Sequence, residues 1–180
     1  MLTITVPAQE FYDEDKNLFI DTPPVTFSLE HSLLSISKWE SKWKKSYLSR
    51  NDKTNEEMLD YIRCMTITPN IDPAVYTRLS ADNIRKIQDY INDPMTATTF
   101  KQTQIQRHSN DIVTAELVYY WMITAGIPME CQKWHINRLL ALIRVCEIKN
   151  APAKKMKKKD ILSQNAAVNA KRRAAMHSLG

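Results

Sequence analysis

Only two of the 180 residues are glycine, Gly126 and Gly180, and Gly180 is the last residue. That scarcity constrains the chain more than any motif. A phosphate-cradling P-loop and a G-x-G-x-x-G dinucleotide turn both need several positions without a Cβ, so neither fits a chain with one internal glycine. A G-x-S-x-G nucleophile elbow is closed for the same reason. With 43% hydrophobic and 25% charged residues, the composition is that of one globular domain with a core, carrying an appendage. These features point to a mostly helical, non-enzymatic protein with a basic tail.

The charge is unevenly placed. Residues 151–180 hold Lys154, Lys155, Lys157, Lys158, Lys159, Lys171, Arg172 and Arg173 against the single acid Asp160, a net +7. Residues 1–150 sum to −2, from 17 basic and 19 acidic side chains. A basic tail on a slightly acidic body favours acidic partners: nucleic acid, an acidic protein face, or the body of a neighbouring copy. The cysteines Cys64, Cys131 and Cys146 are odd in number and widely spaced, which reads as free thiols in a reducing cytosol. No secretory signal is visible at the N-terminus, and no apolar run is long enough to span a bilayer, so no membrane is expected.

Residues 2–6 alternate Leu2, Ile4 and Val6 with threonines, a half-buried strand pattern ended by Pro7. Residues 18–20 suggest a second short strand, and Val25, Phe27 and Leu29 a third. From residue 31 the helical period takes over. Leu33, Ile36, Trp39, Trp43 and Tyr47 form one stripe over 32–48. Thr54 and Glu57 have the spacing of a capping box. Asp72-Pro73 and Ser80 start two further helices, and Asn92-Asp93-Pro94 stops the second. Residues 95–109 read as a polar loop. Asn110 is the expected cap of the most apolar helix, 111–125, which is expected at the centre of a bundle. Gly126 suits a left-handed C-cap, and Pro128 opens a helix over 129–148 that forms a hairpin with the preceding one. An alanine-rich helix is expected over 160–175, marginal alone and ordered when docked. The expected fold is α+β and predominantly α-helical. A small N-terminal antiparallel hairpin or sheet (1–30) leads into a helical body (31–150), the two forming one domain, followed by a basic C-terminal tail helix (151–180).

No set of side chains has the spacing of a catalytic or metal site. Cys131 and His135 stand four apart on the expected helix, but His108 and Cys64 are the only further ligands, and neither has recognisable spacing; no metal or cofactor is expected. A Cys64 or Cys131 nucleophile with His135 as base lacks an orienting group and an oxyanion turn. Trp39, Trp43 and Tyr47 are the candidate partner-binding residues, because tryptophan anchors helical contacts well. The alternative use of Trp39 and Trp43 is a half-buried stripe packing on the N-terminal strands. Trp121 and Trp134 belong to the core. The tail lysines and arginines are a candidate phosphate-contacting segment, but the tail has no aromatic residue to stack on bases.

Five stretches together carry a family resemblance: LEHSLLSISKWESKW (29–43), EEMLDYIRCMTITPNIDPAVY (56–76), DPMTATTF (93–100), ECQKWHINRLLALIRVCEIKN (130–150) and KKDILSQNAAVNAKRRAA (158–175). Over residues 2–178 the chain resembles a tail assembly chaperone of long-tailed bacteriophages. The resemblance implies a binding protein of the infected cell's cytoplasm that coats the tape measure protein before tail-tube subunits polymerise, with the major tail protein as a further partner, and that is absent from the mature virion. It also implies that a longer frameshifted form accompanies some members. It brings no catalytic residue. Eight methionines suit an adaptable apolar surface, and serve equally as core filler. Two other readings stand beside it: a nucleic-acid-associated phage accessory protein acting through the tail, and a structural tail-completion protein. Self-association is expected from exposed stripes and a basic tail on an acidic body.

Overall fold

Four strands open the chain: β1 (Leu2–Val6), β2 (Gln9–Asp13), β3 (Leu18–Thr22) and β4 (Val25–Leu29). The structure is a computed structural model that describes residues 1–13, 17–49, 52–100, 112–151 and 158–176. β1 pairs antiparallel with β4, and β2 with β3. Both ladders keep one register: Leu2 faces Leu29, Val6 faces Val25, Gln9 faces Thr22 and Asp13 faces Leu18. They are two halves of one long hairpin. Pairing lapses between them at Pro7, Pro23 and Pro24, because proline has no amide hydrogen for a ladder.

The inner half is built into the core. Ile4, Val6, Phe27 and Leu29 are buried on one face. On the other, Thr5 and Thr26 hydroxyls meet across the strands at 3.0 Å. The residues after the second helix extend this sheet along β4: the Glu30 amide donates to the Met65 carbonyl, and the Ile67 amide to the Ser28 carbonyl.

Helix α1 (Leu33–Trp43) ends four residues before Tyr47, the last member of its apolar stripe. Lys44 adopts a left-handed conformation, φ 54°, and its amide closes on the Glu40 carbonyl. In a chain this poor in glycine, lysine takes the C-cap position that glycine usually fills. Helix α2 (Asn55–Met65) begins with the capping box that Thr54 and Glu57 announce, each bonding the other's backbone amide. The one-turn α3 (Ala74–Thr77) starts where the Asp72 carboxylate accepts from the Ala74 amide. Ser80 caps α4 (Ala81–Asn92) through the Asn83 amide.

Helix α5 (Ala115–Thr124) is shorter than its apolar run, and its cap is Thr114, whose hydroxyl accepts from the Leu117 amide. Asn110, the cap expected from sequence, lies outside the described residues. Gly126 follows at φ 66°, the left-handed position expected of it. The single helix expected over 129–148 is instead two pieces. A 3-10 turn (Met129–Lys133) is followed by extended Trp134, and α6 (Ile136–Asn150) starts afresh. The break is imposed from outside, since His135 bridges to Ser32 and the Ile136 amide donates to the His31 carbonyl. The expected hairpin of two long helices is therefore absent among the described residues, and α5 packs on α1.

The chain forms two units, Met1–Ile148 and Lys149–Gly180. The first carries the core, centred on Phe27, Leu33, Ile36, Trp39, Tyr61, Met65, Val118, Met122 and Ile136. The second carries α7 (Lys158–Met176), whose described side chains, residues 162–173, are all exposed. The fold is α+β and mainly helical, with the strands confined to the N-terminus. No described helix is long and apolar enough to cross a membrane.

Candidate functional site

The aromatic stripe of α1 turns inward. Trp39 is 1% exposed and Tyr47 6%, so neither offers a surface to a partner. The binding expectation for this stripe narrows to Trp43, which is half-buried. Within the stripe, Trp39 and Trp43 reach across to α2. The Trp39 indole donates to the Glu57 carbonyl at 2.9 Å and the Trp43 indole to the Asp60 carboxylate at 2.8 Å. Lys42 salt-bridges the same carboxylate at 2.5 Å, and Lys45 does so to Glu57. Burial pushes the Asp60 carboxyl up, but the Lys42 and Trp43 hydrogen bonds and the Lys42 and Arg63 charges outweigh it, leaving it below the usual range. Lys42 and Lys45 also lie 5.8 and 5.7 Å from the Trp43 ring centre, within cation–π range.

Two buried polar clusters hold the body together. Glu40 is buried and accepts two backbone amides at 2.7 Å, from Tyr47 and from Ala115 at the start of α5. Its carboxylate thus ties the α1 exit to the positive end of another helix. Burial still raises its pKa. The second cluster joins four elements. His31, before α1, meets the Tyr61 hydroxyl of α2 at 2.5 Å. Its ring stands 4.9 Å from that of His135, at the entry to α6. His135 Nε2 donates to the Tyr90 carbonyl of α4 at 2.9 Å, while Nδ1 accepts from the Asn137 amide at 3.3 Å. A ring that donates at one nitrogen and accepts at the other is neutral. Burial, aided by His135, pushes His31 down to about 3. His31 and Tyr61 are enclosed by the core. They position the fold.

The other sequence candidates are scattered. Cys131 sits buried in the 3-10 turn while His135 lies beyond the break, so the pair does not share a helix face. Burial raises the Cys64 thiol, and all three cysteines are free. His108 lies outside the described residues. Among the described residues, no group of three or more His, Cys, Asp or Glu side chains is placed to hold a metal. Of the tail cations, Lys171, Arg172 and Arg173 are exposed on α7, and Lys158 and Lys159 are in its first turn. Lys154, Lys155 and Lys157 lie outside the described residues.

The surface that the sequence reading missed is on α5. Ala115, Val118 and Met122 face the core, but Tyr120 is 60% exposed and Ile123 67%. With Glu116 and Thr124 these make the outward stripe of the helix. Partly buried Leu117, Tyr119 and Trp121 flank it. The helix is apolar on nearly every side because it supplies a core face and also presents Tyr120 and Ile123 to the outside. A helix apolar on nearly every side predicts central burial, and the sequence carries no signal for which side stays uncovered.

No protein-family model matches the chain, and neither does any curated protein or solved structure.

Proposed function

We propose that this protein is a phage tail assembly chaperone. It binds apolar helical segments of the tape measure protein in the host cytoplasm, keeps that protein soluble before tail-tube polymerisation, and is left out of the mature virion. The observation that supports this reading is the outward face of α5, where Tyr120 and Ile123 stand exposed one helical turn apart. An exposed apolar stripe on a well-seated helix is a docking face for another amphipathic helix. A very long helix awaiting its tube carries such stripes without partners. The binding residues are then Tyr120 and Ile123, with Trp43 the member of the α1 stripe that keeps an accessible edge. Nothing in this role makes or breaks a bond. Co-expression with the tape measure protein encoded in the same genome tests it: the tape measure protein stays soluble with this chain present, and equal precipitation with and without it overturns the reading. Mass spectrometry of purified particles separates it from a tail-completion role, which would leave the chain in the virion.

One observation favours a second reading. α7 presents Lys171, Arg172 and Arg173 to solvent on a helix whose described side chains are all exposed. A helix of this kind binds nucleic acid through phosphates, without base recognition. A steep salt dependence of DNA or RNA binding, lost in Lys171→Gln/Arg172→Gln/Arg173→Gln, would support it.

A further inference from the structure

The outer half of the hairpin is unlike the rest of the body. None of the described side chains of β2 and β3 is buried. Tyr12 and Phe19, directly opposite each other, are 50% and 65% exposed with ring centres 5.0 Å apart. Tyr12 donates through its hydroxyl to the Asn17 side chain, which fixes the ring at the tip of the arm. On the same face, one pleat nearer the root, Glu10 stands directly opposite Asp21. Two like charges at a paired position destabilise a ladder. No described lysine or arginine pairs with either carboxylate. Both line a shallow recess with Ala8, Gln9, Thr22 and Pro23.

The arm is also held in place. At its root the ladder lapses, and one guanidinium nitrogen of Arg78 donates to both loosened carbonyls, Pro7 at 3.1 Å and Pro23 at 3.3 Å. A ribbon of two strands is marginal in water. This one keeps an aromatic pair and a repulsive carboxylate pair uncovered while its root is braced. Such an arrangement is complementary to a cationic segment with aliphatic side chains. Ammonium or guanidinium groups would sit between the carboxylates and over the rings, and aliphatic stems would cover the rings.

The chain itself carries that segment. Residues 9–22 hold Glu10, Asp13, Glu14, Asp15 and Asp21 against Lys16, a net −4, while residues 151–180 are net +7. Within the latter, Leu162, Val168, Lys171, Arg172 and Arg173 are exposed on α7. We propose that the outer hairpin arm is a docking face for the basic C-terminal segment of a second copy of this chain. Arm and segment are different surfaces, so the contact is heterologous and leads to self-assembly. The proposal does not depend on what the α5 face binds.

Sedimentation of the full chain at low and high salt tests it. The wild type associates at low salt, and high salt weakens association by about tenfold or more, because the contact is between exposed charges. Glu10→Gln/Asp21→Asn removes the repulsion, so the arm folds at least as well, yet association is lost. Lys171→Glu/Arg172→Glu/Arg173→Glu also loses it. Combining that triple change with Glu10→Lys/Asp21→Lys in one chain restores association by exchanging the charges. A wild type that is monomeric at low salt overturns the proposal. So does association that survives Glu10→Gln/Asp21→Asn, or a charge-exchanged chain that stays monomeric.

Discussion

The inner and outer halves of the N-terminal hairpin have the same strand length, the same pairing and one register, yet opposite fates. β1 and β4 bury Ile4, Val6, Phe27 and Leu29, whereas β2 and β3 leave Tyr12, Leu18 and Phe19 exposed. Pairing is thus a property of backbone and register, and burial a property of what covers the strands. The inner half lies against α4, where Asn83 donates to the Thr5 carbonyl at 3.2 Å, and against the segment after α2. The outer half has its root braced by Arg78 and no covering helix among the described residues.

The largest contrast is expected from the aromatic residues. Phe27→Ala empties a core position beside the Tyr76 ring, 5.6 Å away, and costs about 3–5 kcal/mol in denaturant unfolding. Phe19→Ala costs no more than about 1 kcal/mol, because its ring is mostly exposed and loses only the cross-strand contact with Tyr12. Similar losses at the two positions would break the comparison.

Acid separates the halves next. His31 titrates at about 3 in the fold against 6.5 in the unfolded chain. The unfolded state therefore binds the proton first as pH falls. The stability contribution is complete above 6.5 and is lost progressively towards 3, a loss of about 2 kcal/mol by pH 5. Unfolding midpoints at pH 7 and pH 5 measure it, and amide exchange confined to β2 and β3 should not follow. A flat profile between those pH values contradicts the buried neutral cluster.

A smaller effect is expected at the root of the arm. Arg78→Ala removes two hydrogen bonds to carbonyls, at about 1 kcal/mol each or less. It should speed amide exchange in 9–22 and leave β1 and β4 protected. The smallest is Glu10→Gln/Asp21→Asn, which should slow exchange in the arm by a few tenths of a kcal/mol to about 1 kcal/mol. Exchange that accelerates instead would show that the opposed carboxylates are not a strain on the ladder.

Where local patterns and tertiary needs agree, the sequence was readable. LTITV, VTFSL, the Thr54–Glu57 box and the Ser80 cap all formed where their patterns place them. β2 was not readable, because QEFYD sets two aromatics side by side without alternation and its pairing is imposed by register from the inner ladder. The break at Trp134 and His135 was hidden for a similar reason. A helical period runs through it, and only the bridge to Ser32 and the bond to the His31 carbonyl interrupt it. For the candidate site the difficulty was direction. Trp39 and Tyr47 have helical spacing and look like an interface, but α2 supplies indole and ion-pair partners that pull the stripe inside. Tyr120 and Ile123 look like core and end up outside, since nothing in a single sequence says which side of an all-apolar helix goes uncovered.

The α5 face can be tested where it matters most, by co-purification of the tape measure protein with the wild type and with Tyr120→Glu/Ile123→Glu. Both changes are at exposed positions, so the variant should melt close to the wild type. Retained folding with loss of the tape measure protein is the predicted result; equal recovery of the tape measure protein with both chains would contradict it.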